Sequence, residues 1–287
     1  MNPETKKLHW KDQILLHIMK DSKQLNRREQ EYYNHLMETI DNQLIEATNW
    51  LGTDEAREIN YATQQELTRL FNESELNQSL HDIIYSEDTT PETIIERFYN
   101  AGATLGYHDI NRLRVLTPAD GEALSYLTKY NFELIHNLGE QVREGIRETI
   151  FTGVTRGSSI PHIRDELLEL PLQPLPVYKE GKLVYVISPR VRAEMIARTE
   201  TSRAMNNGTL QAYANYGVTL GEIIPVHDDR VCDECLDLED DNPYPLQELQ
   251  GMIPVHPNCR CTYGAIPESI PESPVDEPEV MNLTPIT

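Results

Sequence analysis

The sequence has few basic residues, no long apolar run and only four cysteines. Its 25 Lys and Arg residues stand against 47 Asp and Glu residues, which gives a formal net charge of −22. Binding of duplex DNA over a broad face requires a basic surface, so this balance argues against that function. No stretch approaches 18 consecutive apolar residues, and we therefore expect no membrane span.

Motifs of several enzyme classes are also missing. The chain has no phosphate-binding glycine loop, no nucleophile elbow and no His-Glu-x-x-His pair. The sequence motifs therefore give no support for these enzyme classes. The N-terminus does not resemble a signal peptide, because charges interrupt its apolar residues, and an intracellular, reducing setting is expected. Residues 1–28 carry more bases than acids, which favours either a solvated helix face or a contact with DNA or an acidic partner.

All four cysteines lie in one short stretch near the C-terminus. Cys232 and Cys235 form a Cys-x-x-Cys pair, Cys259 and Cys261 form a Cys-x-Cys pair, and His256 precedes the second pair. A Cys-x-x-Cys pair can direct two thiolates at one ion, and a second pair can complete a tetrahedral site. Sulfur-rich tetrahedral sites favour zinc or iron, and we predict zinc.

The candidate ligands number five, whereas a tetrahedral site has four positions. We expect Cys232, Cys235 and Cys261 to bind, with either Cys259 or His256 as the fourth ligand, since spacing alone does not choose. Two disulfides, or four unrelated core thiols, are the alternatives. Because protein side chains would fill every position, the predicted zinc ion is structural and leaves no place for a substrate or water.

Two segments around these ligands resemble a known family. The segments 229–235 (DRVCDEC) and 254–261 (PVHPNCRC), with Ala197-Arg198-Thr199-Glu200 and Asn206 upstream, are similar to the C-terminal signature of phage head morphogenesis proteins. These are the Mu F-like minor capsid proteins. The resemblance covers about residues 155–263.

The resemblance implies a phage minor head protein that is not an enzyme. Proteins of this family lie inside the procapsid with the portal protein and act in head assembly, and some associate with packaged DNA and enter the cell with it. The implied partners are therefore the portal protein, other head proteins and, in some members, packaged DNA. The implied location is the capsid interior of the virion, after assembly in the bacterial host cytoplasm.

Two functions of other classes stay open. One is a DNA-binding zinc module. The other is a toxin-like or hydrolytic enzyme that uses the helix with Arg198 and Glu200. Eight acids crowd residues 228–241, and for that helix we favour ion pairs between its arginines and these acids.

Hydrophobic periodicity predicts a mainly α chain with a small α+β domain at the C-terminus. We expect three parts: an elongated region of long helices at 1–153, a domain knotted by the metal at 154–264, and a disordered, acidic, proline-rich tail at 265–287. Residues 5–51 are predicted to form one long helix, or two in line. The other predicted helices lie at 54–85, from Pro91, at 119–151 with a stop at Gly153, at 160–169 and at 189–216. A hairpin is predicted at 175–187 and a strand at 218–227.

Overall fold

The computed structural model describes residues 26–59, 64–85, 92–113, 117–179, 182–228 and 230–273. Seven helices precede the first strand of this part of the chain: α1 (Arg27–Trp50), α2 (Asp54–Ile59), α3 (Gln64–Glu73), α4 (Glu75–Ile84), α5 (Glu92–Asp109), α6 (Pro118–Arg156) and α7 (Ile160–Glu169). The remaining elements are β1 (Leu175–Lys179), β2 (Lys182–Ile187), α8 (Pro189–Tyr216), β3 (Leu220–Ile224), α9 (Asp233–Asp240), β4 (Tyr244–Pro245) and β5 (Thr262–Ala265).

The predicted fold class is confirmed, since the described chain is mainly helical and its small antiparallel sheets lie in the C-terminal region. Helices α7 and α8 and the hairpin β1–β2 occupy the predicted segments. Helix α8 ends at Gly217, whose positive φ of 82° suits glycine. Residues 5–25 of the first predicted helix and the predicted start at Pro91 lie outside the described residues. No helix that the structure describes is both long and apolar enough to cross a bilayer.

Two of the predicted helices differ from the observed ones. The segment predicted as one helix at 54–85 contains α2, α3 and α4, and Ser74 starts the last of these because its hydroxyl accepts the Asn77 N–H at 3.1 Å. Helix α6 continues through Gly153 and stops before Gly157, whose φ is +72°. Gly153 instead allows close packing, since a Cβ there would lie 2.5 Å from Ile163 of α7.

The described residues form two compact units. One contains the described residues of 26–32, 92–131 and 195–273, and the other contains those of 33–85 and 132–194. The chain passes from one unit to the other inside α1, α6 and α8. The sequential boundary between 153 and 154 stays a prediction.

In the first unit, α5 and α8 cross at glycines. A Cβ at Gly208 would lie 2.7 Å from the backbone nitrogen of Ala103, and closer still to the Tyr99 carbonyl oxygen. The Thr209 hydroxyl donates to the carbonyl of Gly102 across the same crossing, at 2.9 Å. The two backbones can approach this closely because no side chain separates them.

A three-stranded antiparallel sheet of order β4-β3-β5 lies in the same unit. Ile223 of β3 faces Tyr263 of β5, and the side chain of Asn242 both donates to and accepts from the Ile223 backbone at 2.8 Å. The cysteine-rich segment 225–261 leaves the sheet at the end of β3, adds β4 to the sheet at 244–245, and leads back into it at β5. The sheet therefore holds both ends of the segment with the candidate ligands.

The tail predicted to begin at 265 is structured at its start. Ala265 ends β5, and residues Pro267–Ser269 form a 3₁₀ turn. The Ser269 hydroxyl donates to the Leu220 carbonyl at 2.9 Å, and Arg112 donates to the Pro271 carbonyl at 3.2 Å. The prediction of a disordered tail is therefore wrong for 265–273, and residues 274–287 lie outside the described residues.

Candidate metal centre

The Cys-x-x-Cys pair lies at the start of α9. Cys232 is the N-cap residue, and its sulfur accepts the backbone N–H of Cys235 at 3.4 Å. This local turn places the Cys235 thiol beside that of Cys232 within the first turn of the helix. Cys235 is 3 % exposed, and its sulfur therefore faces the interior of the segment.

The structure brings the five candidate ligands into two groups that share Cys235. The Sγ atom of Cys235 lies 4.0 Å from Sγ of Cys259 and 3.5 Å from Nε2 of His256. Two groups share Cys235, namely Cys232 with His256 and Cys259 with Cys261, and within each group the ligand atoms lie within 4.8 Å of one another. These groups could hold a metal ion.

The two separations measured from Cys235 match those expected between ligands of a tetrahedral ion. Zinc–sulfur bonds of about 2.3 Å and zinc–nitrogen bonds of about 2.0 Å separate two sulfurs by about 3.8 Å, and a sulfur and a nitrogen by about 3.5 Å. The observed separations from Cys235 are 4.0 Å and 3.5 Å. Disulfides are not formed here, since all four thiols are free and a bonded sulfur pair lies at about 2.05 Å.

The ring of His256 is oriented for metal binding. Its Nδ1 lies 2.8 Å from the carbonyl oxygen of Pro257. A carbonyl can only accept, so Nδ1 carries the hydrogen, and Nε2 directs its lone pair toward Cys235. Metal-bound histidines commonly donate their second ring N–H to a carbonyl in this way.

The cluster favours a thiolate at Cys259. Hydrogen bonds from the Cys235 and Cys261 thiols lower the pKa of Cys259, and backbone hydrogen bonds of Cys261 and Val255 add to the effect. The hydrogen bond to Cys259 in turn raises the pKa of Cys235. A bound cation would instead lower the pKa of Cys235, because coordination deprotonates each ligating thiol and the cation compensates the thiolate charge.

Helix α8 holds the second cysteine pair in place from two positions. The backbone N–H of Asn258 donates to the Thr199 hydroxyl at 3.0 Å, and the Asn206 amide donates to the Cys261 carbonyl at 3.0 Å. Asn258 has a φ of +64°, a conformation that asparagine tolerates better than other side chains. The backbone can therefore turn sharply between His256 and Cys259.

An ion pair joins the two ends of the cysteine-rich segment. Arg260, which lies between two candidate ligands, donates both terminal nitrogens to the Asp228 carboxylate, at 2.7 and 2.8 Å. These bonds hold the pKa of Asp228 well below its usual range. No pattern in the sequence predicted this contact, although Arg260 lies between Cys259 and Cys261 and Asp228 lies just before the first pair.

Arg203 of α8 forms a different ion pair from the one predicted. Arg203 pairs with Glu200 of its own helix at 3.0 Å and stacks over the ring of Tyr130, so the expected pairing with an acid of the cysteine-rich segment is wrong for Arg203. Glu200 is 3 % exposed, and burial raises its pKa although Arg203 opposes the shift. The Glu200–Arg203 pair is therefore part of the core.

Comparison with known protein families finds a match over residues 144–264, to the family described as Phage Mu protein F like protein. The matched segment contains the five candidate ligands, the contacts from α8 and the Asp228–Arg260 pair. The resemblance inferred from the cysteine motifs is thereby confirmed for this segment. No curated protein and no solved structure matches the chain significantly.

Proposed function

Since residues 144–264 match the Phage Mu F-like family, we propose that this chain is a minor head protein of a phage and acts in head assembly. The family match is the observation that carries the proposal. In this proposal the protein lies in the capsid interior, its partners are the portal protein and other head proteins, and it has no enzymatic activity. An association with packaged DNA during packaging or ejection is a secondary part of the proposal.

The metal centre has a structural role in this proposal, and its ion is zinc. Thiolate sulfur and imidazole nitrogen form a donor set that zinc prefers. The donors Cys232, Cys235, His256, Cys259 and Cys261 outnumber the four positions, so protein side chains can fill the whole coordination sphere. Such an ion joins the start of α9 to the turn before β5 and orders the residues between them, because binding and ordering are one equilibrium.

The two other function classes have less support. Residues Asp233, Glu234, Asp237 and Asp240 are exposed acids of α9, and their charge would repel the phosphates that a DNA-binding zinc module must contact. For an enzyme that uses the Arg198–Glu200 helix, the burial of Glu200 against Arg203 keeps the carboxylate from a substrate.

Metal analysis tests the proposed zinc centre. Purified protein should contain about one zinc per chain, and Cys235→Ser should lose it, because both groups of ligands use Cys235. Asp237→Ser, an exposed change in the same helix, is the matched control and should keep the metal. His256→Ala and Cys259→Ala, compared by zinc content, identify the fourth ligand.

The assembly part is tested on sucrose gradients with portal-containing procapsids. Wild-type protein and Asp237→Ser should sediment with the procapsids, whereas Cys235→Ser should stay at the top. Failure of the wild type to sediment with procapsids or portal rings would contradict the assembly role. Salt-dependent retention on duplex DNA would instead support the zinc module, and a turnover lost in Glu200→Gln would support an enzyme.

A further inference from the structure

The second unit contains a buried arginine that no carboxylate of the described residues neutralises. Arg192, in the first turn of α8, is 8 % exposed. Its Nη1 nitrogen donates to the Asn137 carbonyl at 3.1 Å and to the Gln141 side-chain oxygen at 3.0 Å. Among the residues that the structure describes, no Asp or Glu forms an ion pair with it, and burial lowers its pKa. A buried cation with neutral partners alone is costly, so a counter-charge from outside would be favourable.

The guanidinium is held in one orientation. The Gln141 amide nitrogen donates to the carbonyls of Leu175 and Ile187, at 3.3 and 3.1 Å, which turns the Gln141 oxygen toward Arg192. Both Nη1 hydrogens therefore have hydrogen-bond acceptors within the unit. Within the described chain, Nε and Nη2 make no hydrogen bond, yet they are not closed off from solvent.

Arg192 lines a cavity of about 480 Å³ between α6 and the hairpin. Leu175, Pro176 and Val177 of β1 form an apolar wall, and Glu140, Glu144 and Glu148 lie on the α6 side. This volume lies in the range of ligand pockets, about 300–1,000 Å³. The cavity therefore combines one oriented cation with an apolar wall and an acidic side.

We propose that this cavity is a docking site for a partner polypeptide that inserts an Asp or Glu side chain onto Arg192. The free Nε and Nη2 hydrogens form the side-on fork that binds both oxygens of one carboxylate. Nucleic acid is a poorer occupant, because its adjacent phosphates would meet the acids of α6.

The glutamates on the α6 side of the cavity favour a partner segment that carries a basic residue beside the inserted acid. Glu140 pairs with Arg143 and Glu144 pairs with Arg147, whereas Glu148 forms no ion pair among the described residues. A basic residue beside the inserted acid would compensate Glu148. The site goes beyond the proposed head-assembly role and does not depend on the metal centre, because every residue that lines it belongs to the second unit.

Binding of two tripeptides to the full-length protein tests the proposal. The probes are acetyl-Lys-Glu-Lys-amide and acetyl-Lys-Gln-Lys-amide, titrated at constant ionic strength while the arginine Nε–H signals are followed by NMR. The signal that disappears in Arg192→Lys identifies Arg192. The Glu peptide should shift that signal and bind about tenfold or more tightly than the Gln peptide, since only the Glu peptide offers a carboxylate.

Three variants distinguish peptide binding at Arg192 from non-specific attraction between charges. Arg192→Lys keeps the charge but not the fork, and should weaken binding of the Glu peptide about tenfold. Glu148→Gln, an exposed change, should weaken binding less, and Arg69→Lys, an exposed arginine paired with Glu73 in the same unit, should leave it unchanged. Equal binding of the two peptides, no binding at tens of millimolar, or binding unaffected by Arg192→Lys would overturn the proposal. Inorganic phosphate shifting the Arg192 signal as strongly as the Glu peptide would overturn the assignment to a carboxylate.

Discussion

Gly208→Ala should destabilise the first unit, although alanine is the better helix former. An added Cβ would meet the backbone nitrogen of Ala103 at 2.7 Å and the backbone carbonyl of Tyr99 at a shorter distance. Both atoms belong to the α5 backbone and cannot rotate away. Because van der Waals contacts of carbon lie at about 3.5 Å, the helices would have to separate by about 0.8 Å or more.

The size of the effect follows from three contributions. Overpacking of this kind costs about 1–3 kcal/mol, and a clash with backbone belongs at the upper end. Separation of the helices also weakens the hydrogen bond from Thr209 to the Gly102 carbonyl, for a further loss of about 1 kcal/mol. The gain in helix propensity from Gly to Ala returns about 1 kcal/mol. The free energy of unfolding should therefore fall by about 2–3 kcal/mol.

Gly121→Ala is the matched control in the same unit. Gly121 lies in α6, is exposed, and an added Cβ would meet nothing within 4 Å. The same substitution should therefore raise the free energy of unfolding by about 0.5–1 kcal/mol. The two variants should differ by about 3 kcal/mol and move in opposite directions.

Urea denaturation followed by far-UV circular dichroism measures both variants. A second readout is zinc affinity, which should fall in Gly208→Ala only, because α8 holds the cysteine-rich segment through Thr199 and Asn206. The close crossing of α5 and α8 would be refuted if Gly208→Ala were as stable as the wild type, or if both variants were stabilised.

Two further predictions concern the cysteine-rich segment and the tail. Asn258→Val should weaken zinc binding by about 1–2 kcal/mol, because a β-branched residue resists a φ of +64°. Asn258→Gly should not weaken it, since glycine adopts this conformation. Equal zinc affinities of the two variants in a competition titration with a chelator would contradict this role of the Asn258 backbone. Removal of 267–287 should lower the melting temperature further than removal of 274–287, because only the longer truncation removes the 3₁₀ turn and the Arg112–Pro271 contact. Identical melting of the two truncated proteins by calorimetry would contradict the packing of that turn.

Much of the secondary structure could be predicted because its signals are local. Pro189 and Gly217 bound α8 in the sequence as they do in the structure. Helix α6 shows the limit of such signals, because glycine serves both as a helix stop and as a site of close packing. Gly153 was predicted to be the stop, yet its missing Cβ makes room for Ile163, and only the tertiary contact distinguishes the two uses.

The sequence by itself determined the candidate ligands and the family match over residues 144–264. Cysteines two or three positions apart can reach one ion whatever the rest of the chain does, so Cys232, Cys235, Cys259 and Cys261 could be proposed from spacing alone. The tertiary structure alone decided which distant residues support them. Asn206 reaches the Cys261 carbonyl across 55 positions, and Arg260 reaches Asp228 across 32. Contacts over such separations depend on how helices and strands pack, and no local pattern in the sequence records them.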